Sequence, residues 1–168
     1  MDVKIGEIIQ AVGGKALVPL DEAALGLCVR AVSTDTRTIE KGDAFFALQG
    51  PKYDGHDFLK EAVARGAAVC VVSDPKRVSA DLKKSCSFIR VADTLRAYGD
   101  LARFYRGKFR IPVIAITGSA GKTTTKELIA HVLSQRFKVL KNRGTENNLV
   151  GVPKTIFQLE PQHEVLVL

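Results

Sequence analysis

The chain has 168 residues, 46% of them hydrophobic, and a formal net charge of +7, enough apolar matter to pack one domain or two small ones. No run of about 18 apolar residues could span a membrane, and no uninterrupted apolar segment follows the acidic Asp2, so neither membrane insertion nor a signal peptide is supported and a cytoplasmic location is expected. Residues 1–107 carry 16 basic and 14 acidic side chains while residues 108–168 carry 9 and 4; the second segment suits a polyanion, and without a basic-aromatic stacking pattern or a recognition helix, nucleotide phosphates fit better than nucleic acid.

The first helix is expected over Val3 to Val12, where Ile5, Ile8, Ile9 and Val12 share one helical face and Gly13-Gly14 stops it. Leu27 to Val32 and Ala44 to Leu48 read as short strands, the first followed by the polar turn Ser33-Thr34-Asp35-Thr36-Arg37. A second helix begins near Asp57 and stops at Gly66. Ala67 to Val72 is a continuous apolar strand, expected to be covered on both faces. Ser87 to Val91 gives another strand, and Asp93 can cap a helix to about Arg106 with Leu95, Tyr98, Leu101, Ala102 and Tyr105 inward. Cys28, Cys70 and Cys86 are odd in number and form no C-x-x-C pair, so buried reduced thiols are expected.

Gly107 to Pro112 is the best domain boundary, because a helix stop, basic residues and a proline precede a new apolar strand, Val113 to Ile116. Beyond it come a glycine loop, a helix from Lys122 to about Gln135, a strand near Val139, a polar loop, a helix opening near Pro153 and a last strand, Glu164 to Leu168. This alternation predicts βαβ units in a parallel sheet. The fold class expected is α/β: a small N-terminal α/β substrate domain (1–107), then the start of a phosphate-loop, parallel-sheet ATP-binding domain (108–168). A parallel strand normally hands over to a ligand-bearing loop at its carboxyl end, so a sheet stopping at Leu168 is expected to be truncated and to hold half a site.

Thr117-Gly118-Ser119-Ala120-Gly121-Lys122-Thr123-Thr124-Thr125 lies between a strand and a helix, the setting that a phosphate-binding loop needs. Glycines let backbone N–H groups turn inward, and the following helix adds its positive end. Lys122 would reach the β and γ phosphates of ATP, and the Thr123 hydroxyl would ligate Mg²⁺. The common G-x-x-x-x-G-K-[ST] spacing would need glycine at position 116, where this chain has Ile116. The bland alternative is a glycine turn opening an ordinary helix.

The compact T-G-x-x-G-K-T-T-T loop resembles the ATP-binding loop of the Mur ligase and folylpolyglutamate synthetase superfamily. Asn147-Asn148-Leu149-Val150-Gly151-Val152-Pro153 resembles its N-N-x-x-G-x-P segment, and Lys126-Glu127 is similar to the branch of Mur ligases that adds D-alanyl-D-alanine. Upstream, Ser33 to Arg37 resembles the S-x-D-S-R segment of Mur N-terminal domains. Gly42 to Leu48 and Tyr53-Asp54-Gly55-His56-Asp57-Phe58 resemble their G-D-x-F-F-A-L and F-D-G-H-D-F pair. Thr36 stands where serine is usual, and Thr145-Glu146 where that branch often has another asparagine.

The resemblance implies ATP-dependent amide ligation through an acyl phosphate, with UDP-N-acetylmuramoyl-tripeptide, D-alanyl-D-alanine and ATP as partners, Mg²⁺ as cofactor and a monomeric enzyme. It implies ATP binding by Gly118, Ser119, Ala120, Gly121, Lys122, Thr123 and Thr124, with Lys122 catalytic. It assigns the UDP substrate to Ser33, Thr34, Asp35, Thr36, Arg37, Asp54, Gly55, His56, Asn147 and Asn148. The rest of the family's machinery is expected beyond Leu168, so the chain alone is expected not to turn over. Taken as residues, His56 could equally cap or pack, Asp35 and Arg37 could simply pair across a turn, and Asn147 and Asn148 could be plain loop residues. His131 and the basic Lys138, Lys141 and Arg143 read as solvated surface. A different phosphate-loop ligase, such as a folylpolyglutamate synthetase, would share residues 113–153 but leave the 33–57 segments without a reason, and a non-catalytic nucleotide-binding module is the third class.

Overall fold

Val69 to Val72 lose all solvent contact, as a continuous run of β-branched and small apolar side chains must when both faces of its sheet are covered. In the computed structural model, which describes residues 1–144 and 146–168, the chain forms two compact units, Met1–Leu101 and Ala102–Leu168. The division falls inside a long helix rather than in the 107–112 segment.

The first unit is built on five strands. β4 (Val32–Ser33), β5 (Ala44–Phe46), β6 (Val69–Val72) and β7 (Ser87–Arg90) run parallel in that spatial order, and β2 (Lys15–Ala16) pairs antiparallel on the outer side of β7. Alternate residues of β6 serve opposite faces: Cys70 and Val72 join Phe45, Leu59, Ala62, Val78 and Phe88 in one cluster. On β5, Phe46 points away from that cluster and meets Tyr98 of α5 (Thr94–Gly107), with ring centroids 5.3 Å apart and planes at 66°. Asp93 caps α5 as expected, its Oδ1 accepting from the N–H groups of Leu95 and Arg96.

Several sequence expectations shift at their edges. α1 spans Ile5–Val12, because Val3 and Lys4 instead form β1 (Val3–Lys4), pairing with β3 (Cys28–Val29). The run 27–32 is therefore two short strands in two sheets, β3 and β4, and not one. The helix expected from Asp57 opens as a 3₁₀ turn over Gly55–Phe58 and becomes α3 at Leu59–Ala64. Between β1 and β2, Gly13 ends α1 at φ 59°, the left-handed conformation that favours glycine. Of the cysteines, Cys70 is buried and Cys86 half-buried, but Cys28 is exposed on the edge of a two-stranded ribbon. All three are free thiols.

The second unit holds three parallel strands, β8 (Val113–Ile114), β9 (Val139–Lys141) and β10 (Val165–Val167), with β10 between the other two. β8 is shorter than the apolar run 113–116, although the N–H of Ile116 still bonds to the carbonyl of Leu168 at 2.8 Å. α6 (Lys122–Ser134) connects β8 to β9, and α7 (Gly151–Ile156), opening two residues ahead of Pro153, connects β9 to β10. Ala130, Val165 and Val167 form the core, with Ile114, Ile116, Ile129, Leu133 and Val139 packed against it. No described helix is long and apolar enough to cross a membrane.

Candidate functional sites

In parallel sheets ligands gather outside the carboxyl ends of the strands. The two segments singled out in the first unit both leave that edge: Ser33–Arg37 continues from β4, and the loop to His56 continues from β5, its direct neighbour, with Ser33 opposite Phe45. The fold thus brings the two segments to one edge of one sheet.

Their side chains are largely engaged with one another. Ser33 Oγ donates to the carbonyl of Asp35 at 2.9 Å, lies 3.0 Å from Thr38 Oγ1 and accepts the N–H of Asp35. Arg37 grips Asp35 through Nε and Nη2, at 2.9 Å from Oδ1 and 2.6 Å from Oδ2. The hydrogen bond from Arg37 holds the Asp35 carboxyl below its ordinary range, against a smaller opposing effect of burial. Thr36 is buried, Thr34 half-buried, and Arg37 is 83% exposed along its side chain. The turn therefore presents Arg37, whose guanidinium has donors beyond those used on Asp35.

His56 packs inward. It is 5% exposed, with Nδ1 2.6 Å from Asp54 Oδ1. Its Nε2 accepts the backbone N–H of Ser73 at 3.0 Å and that of Asp74 at 3.3 Å. Nε2 is thus the acceptor and Nδ1 carries the proton toward Asp54. Both ring nitrogens are thus occupied within the protein, the capping and packing arrangement left open by the sequence. Asp54 is equally committed: it accepts His56 N–H at 2.9 Å and Arg77 Nη1 at 2.6 Å. Burial pushes its carboxyl up, but the hydrogen bonds from His56 together with the neighbouring charge of Arg77 hold it below its ordinary range. Gly55 is required by space: a Cβ there would lie 2.7 Å from Ala47 Cα and Leu48 N. Sequence reasoning missed Arg77, which also pairs with Asp57; nothing in its local pattern marks it.

In the second unit, residues 117–121 form the turn between β8 and α6. Gly118 has φ 149° and Gly121, at the helix N-cap, φ 76°. Ser119 and Ala120 lie exposed between them. Lys122 folds back so that its ammonium donates to the carbonyl of Gly118, and Thr123 and Thr124 stand exposed on the first helical turn. The loop therefore offers an anion a helix N-terminus, a lysine and hydroxyls in one place.

Asn147 lines a cleft of about 20 Å³ with Ile116, Lys122, Thr123, Lys126 and Asn142, room for roughly one water. Asn148 is spent on structure, its Oδ1 accepting the N–H groups of Val150 and Gly151 at 3.0 and 2.7 Å. Of the Thr145-Glu146 departure, Thr145 lies outside the described residues. Glu146 pairs with Lys154 at 2.8 Å. Among the described residues the buried Asn142 Oδ1 has no hydrogen-bond partner, and no group of three or more His, Cys, Asp or Glu could hold a metal ion. Mg²⁺ bound with a nucleotide usually keeps waters and phosphate oxygens and takes few protein ligands; the exposed Thr123 hydroxyl on the first turn of α6 would be the one to hold it. His131 is exposed, and Lys141 pairs with Glu127.

Residues 29–106 match the profile of the Mur ligase family, catalytic domain, and residues 116–168 that of the Mur ligase middle domain. A UDP-N-acetylmuramoyl-tripeptide–D-alanyl-D-alanine ligase from Synechocystis sp. is 47% identical over 137 residues, covering 82% of this chain and 30% of that protein. The enzyme of the same name from Escherichia coli is 41% identical over 138 residues, covering 82% of this chain and 29% of that protein. Among solved structures, MurF from Acinetobacter baumannii aligns with a TM-score of 0.86 at 34% identity, covering 100% of this chain and 35% of that one. MurF ligase from Thermotoga maritima in complex with ADP aligns with a TM-score of 0.73 at 30% identity, covering 88% of this chain and 32% of that one. The chain thus spans about 30% of the length of the curated relatives it matches.

Proposed function

This chain belongs to the Mur ligase family, and on that premise we propose that it supplies the nucleotide-phosphate loop and the UDP-substrate surface of an ATP-dependent ligase joining D-alanyl-D-alanine to UDP-N-acetylmuramoyl-tripeptide. The observation that carries the nucleotide half is the turn at 117–121, where two positive-φ glycines open α6 and Lys122 arches over the loop. In this reading Gly118, Ser119, Ala120 and Gly121 surround the phosphates, Lys122 neutralises charge on the β and γ groups, and the Thr123 and Thr124 hydroxyls face them. Residues 1–107 form the UDP-substrate domain and residues 108–168 the first part of the ATP-binding domain. The reaction takes place in the cytoplasm, on a monomer.

The chemistry proposed has two steps. A carboxylate of the tripeptide attacks the γ-phosphorus of ATP, ADP leaves and an acyl phosphate forms. The amine of D-alanyl-D-alanine then attacks the acyl carbon, phosphate leaves and the amide remains, with the amine proton lost to a base. Mg²⁺, when bound, offsets phosphate charge. The chain's own contribution is positioning and charge neutralisation, the main resources of phosphoryl-transfer catalysis.

For the UDP half, Arg37 is an exposed cation on the turn that leaves β4, and it is proposed to meet pyrophosphate oxygens while Asp35 keeps it oriented. Calorimetry with ADP–Mg²⁺ and with UDP-N-acetylmuramoyl-tripeptide tests both halves. Lys122→Ala is expected to weaken ADP alone, and Arg37→Ala the UDP ligand alone, each by about tenfold to a hundredfold for one charge-assisted contact. A folded wild-type chain that binds neither ligand would sink the proposal.

A further inference from the structure

Lys126 is one helical turn beyond Lys122 on α6, yet it is only 3% exposed. An ammonium is costly to bury unless it is paired, and a hydrocarbon side chain would fill the same space at less cost. Its surroundings explain the lysine. Nζ donates to the carbonyl of Asn142 at 2.7 Å and to that of Gly144 at 3.1 Å, and lies 3.2 Å from Glu127 Oε1, so three donors meet three acceptors. Two of these acceptors are main-chain groups of the irregular segment between β9 and α7. Gly144 sits at φ 50°, a conformation in which a side chain is strained.

The far end of that segment is fastened separately. Asn148 Oδ1 takes the first N–H groups of α7, and Asn142 Nδ2 reaches the carbonyl of Glu146 at 3.2 Å. Asn147 lies between the two anchorages, on the wall of the cleft shared with Lys122 and Thr123. We infer that Lys126 is a positioning residue for the nucleotide-phosphate site: it ties α6 to the 142–148 segment and so holds Asn147 opposite Lys122 and Thr123. The inference rests on the phosphate-loop reading above and assigns the Lys126-Glu127 pair a physical task.

Lys126→Met keeps an unbranched apolar stem, one atom shorter, and removes the charge and the donors. In the ligand-free chain, amide hydrogen exchange at Glu146, Val150 and Gly151 is expected to rise at least about tenfold, while Leu166 in β10 and the adjoining Leu168, bonded to the carbonyl of Ile114, stay within about twofold. ADP affinity is expected to fall about tenfold, the loss of positioning at one polar contact, with UDP-N-acetylmuramoyl-tripeptide affinity unchanged. Should Lys126→Met not fold, Gly144→Ala strains the backbone that presents the second carbonyl, at φ 50°, and is expected to give the same pattern. Unchanged exchange at 146–151 in either folded variant overturns the inference, as does undiminished ADP affinity in a variant whose segment has loosened. A wild-type chain that ignores ADP overturns the phosphate-loop reading instead, and loop exchange, measured without nucleotide, tells the two failures apart.

Discussion

His56 Nδ1 and Asp54 Oδ1 lie 2.6 Å apart, and the opposite nitrogen of the same imidazole receives two main-chain N–H groups from the end of β6. The histidine therefore bolts the loop after β5 to the loop after β6. Replacing it with alanine leaves two inward N–H groups without their acceptor and takes one hydrogen bond from the Asp54 carboxylate, which keeps Arg77 and the main-chain N–H of residue 56; each unpaired N–H costs roughly 1–3 kcal/mol. His56→Ala is expected to lower stability in urea unfolding by on the order of 3 kcal/mol. A folded His56→Ala chain of wild-type stability would contradict this internal role.

Gly55 gives a sharper steric test. With main-chain atoms of Ala47 and Leu48 2.7 Å from where a Cβ would be, no rotation of a side chain relieves the contact and the backbone itself must move. Gly55→Ala is expected to cost about as much as overpacking a core, 1–3 kcal/mol, and to weaken the UDP ligand, because the displaced loop borders the turn holding Arg37. Proteolysis of the 47–58 loop reads the same displacement.

How much of this was legible in the sequence depends on the range of the interactions. The turn at 117–121 is legible because its requirements are local: a strand, glycines where φ turns positive, and a lysine opening a helix. β6 is legible because burial on both faces leaves a run without polar residues. The split of residues 27–32 between two sheets is not, since it depends on Val29 pairing with Val3, 26 positions away. Nor is the internal role of His56, whose acceptors' partners come from residues 73 and 74, or the place of Asn147 across from Lys122, which the connection through β9 creates.

Asp35 provides a pH test with a definite sign. Its folded-state carboxyl titrates below the unfolded value of about 3.9, chiefly because of the hydrogen bond from Arg37. The pairing is therefore fully present above that value and is lost as pH falls through the lower, folded one. Arg37→Ala is expected to bring the Asp35 titration up toward about 3.9, followed by carboxyl carbon shifts in an NMR titration. Both groups are solvent-screened, so thermal stability at neutral pH should hardly change.

Cys28 is exposed but faces Asp2, whose Oδ1 lies 3.4 Å from its Sγ. That hydrogen bond, with the neighbouring negative charge, raises the thiol above its ordinary range. A raised value means less thiolate at neutral pH and slower alkylation. Asp2→Asn is expected to speed the reaction of Cys28 with iodoacetamide, and the gain should vanish once pH exceeds both titrations. Peptide mapping distinguishes Cys28 from the buried Cys70 and half-buried Cys86.

The two glycines of the 117–121 turn, proposed above to hold nucleotide phosphates, should respond differently to substitution, because they occupy different conformations. Gly121, at φ 76° with no atom within 4 Å of a Cβ, lies in the left-handed region, which asparagine visits readily and β-branched residues avoid. Gly118, at φ 149°, lies in the region that only glycine enters without strain. Gly121→Asn is therefore expected to retain ADP binding within a few-fold, while Gly121→Val loses the helix start, at a strain of about 1–2 kcal/mol. Gly118→Asn should fare no better than Gly118→Ala, because tolerance of the left-handed region does not extend to φ 149°. ADP calorimetry on these four variants, with unfolding midpoints measured alongside, checks the ranking. An equal tolerance of asparagine at both positions would mean that the nucleotide-competent loop has a different backbone at Gly118, and that the phosphate groups meet another set of N–H donors.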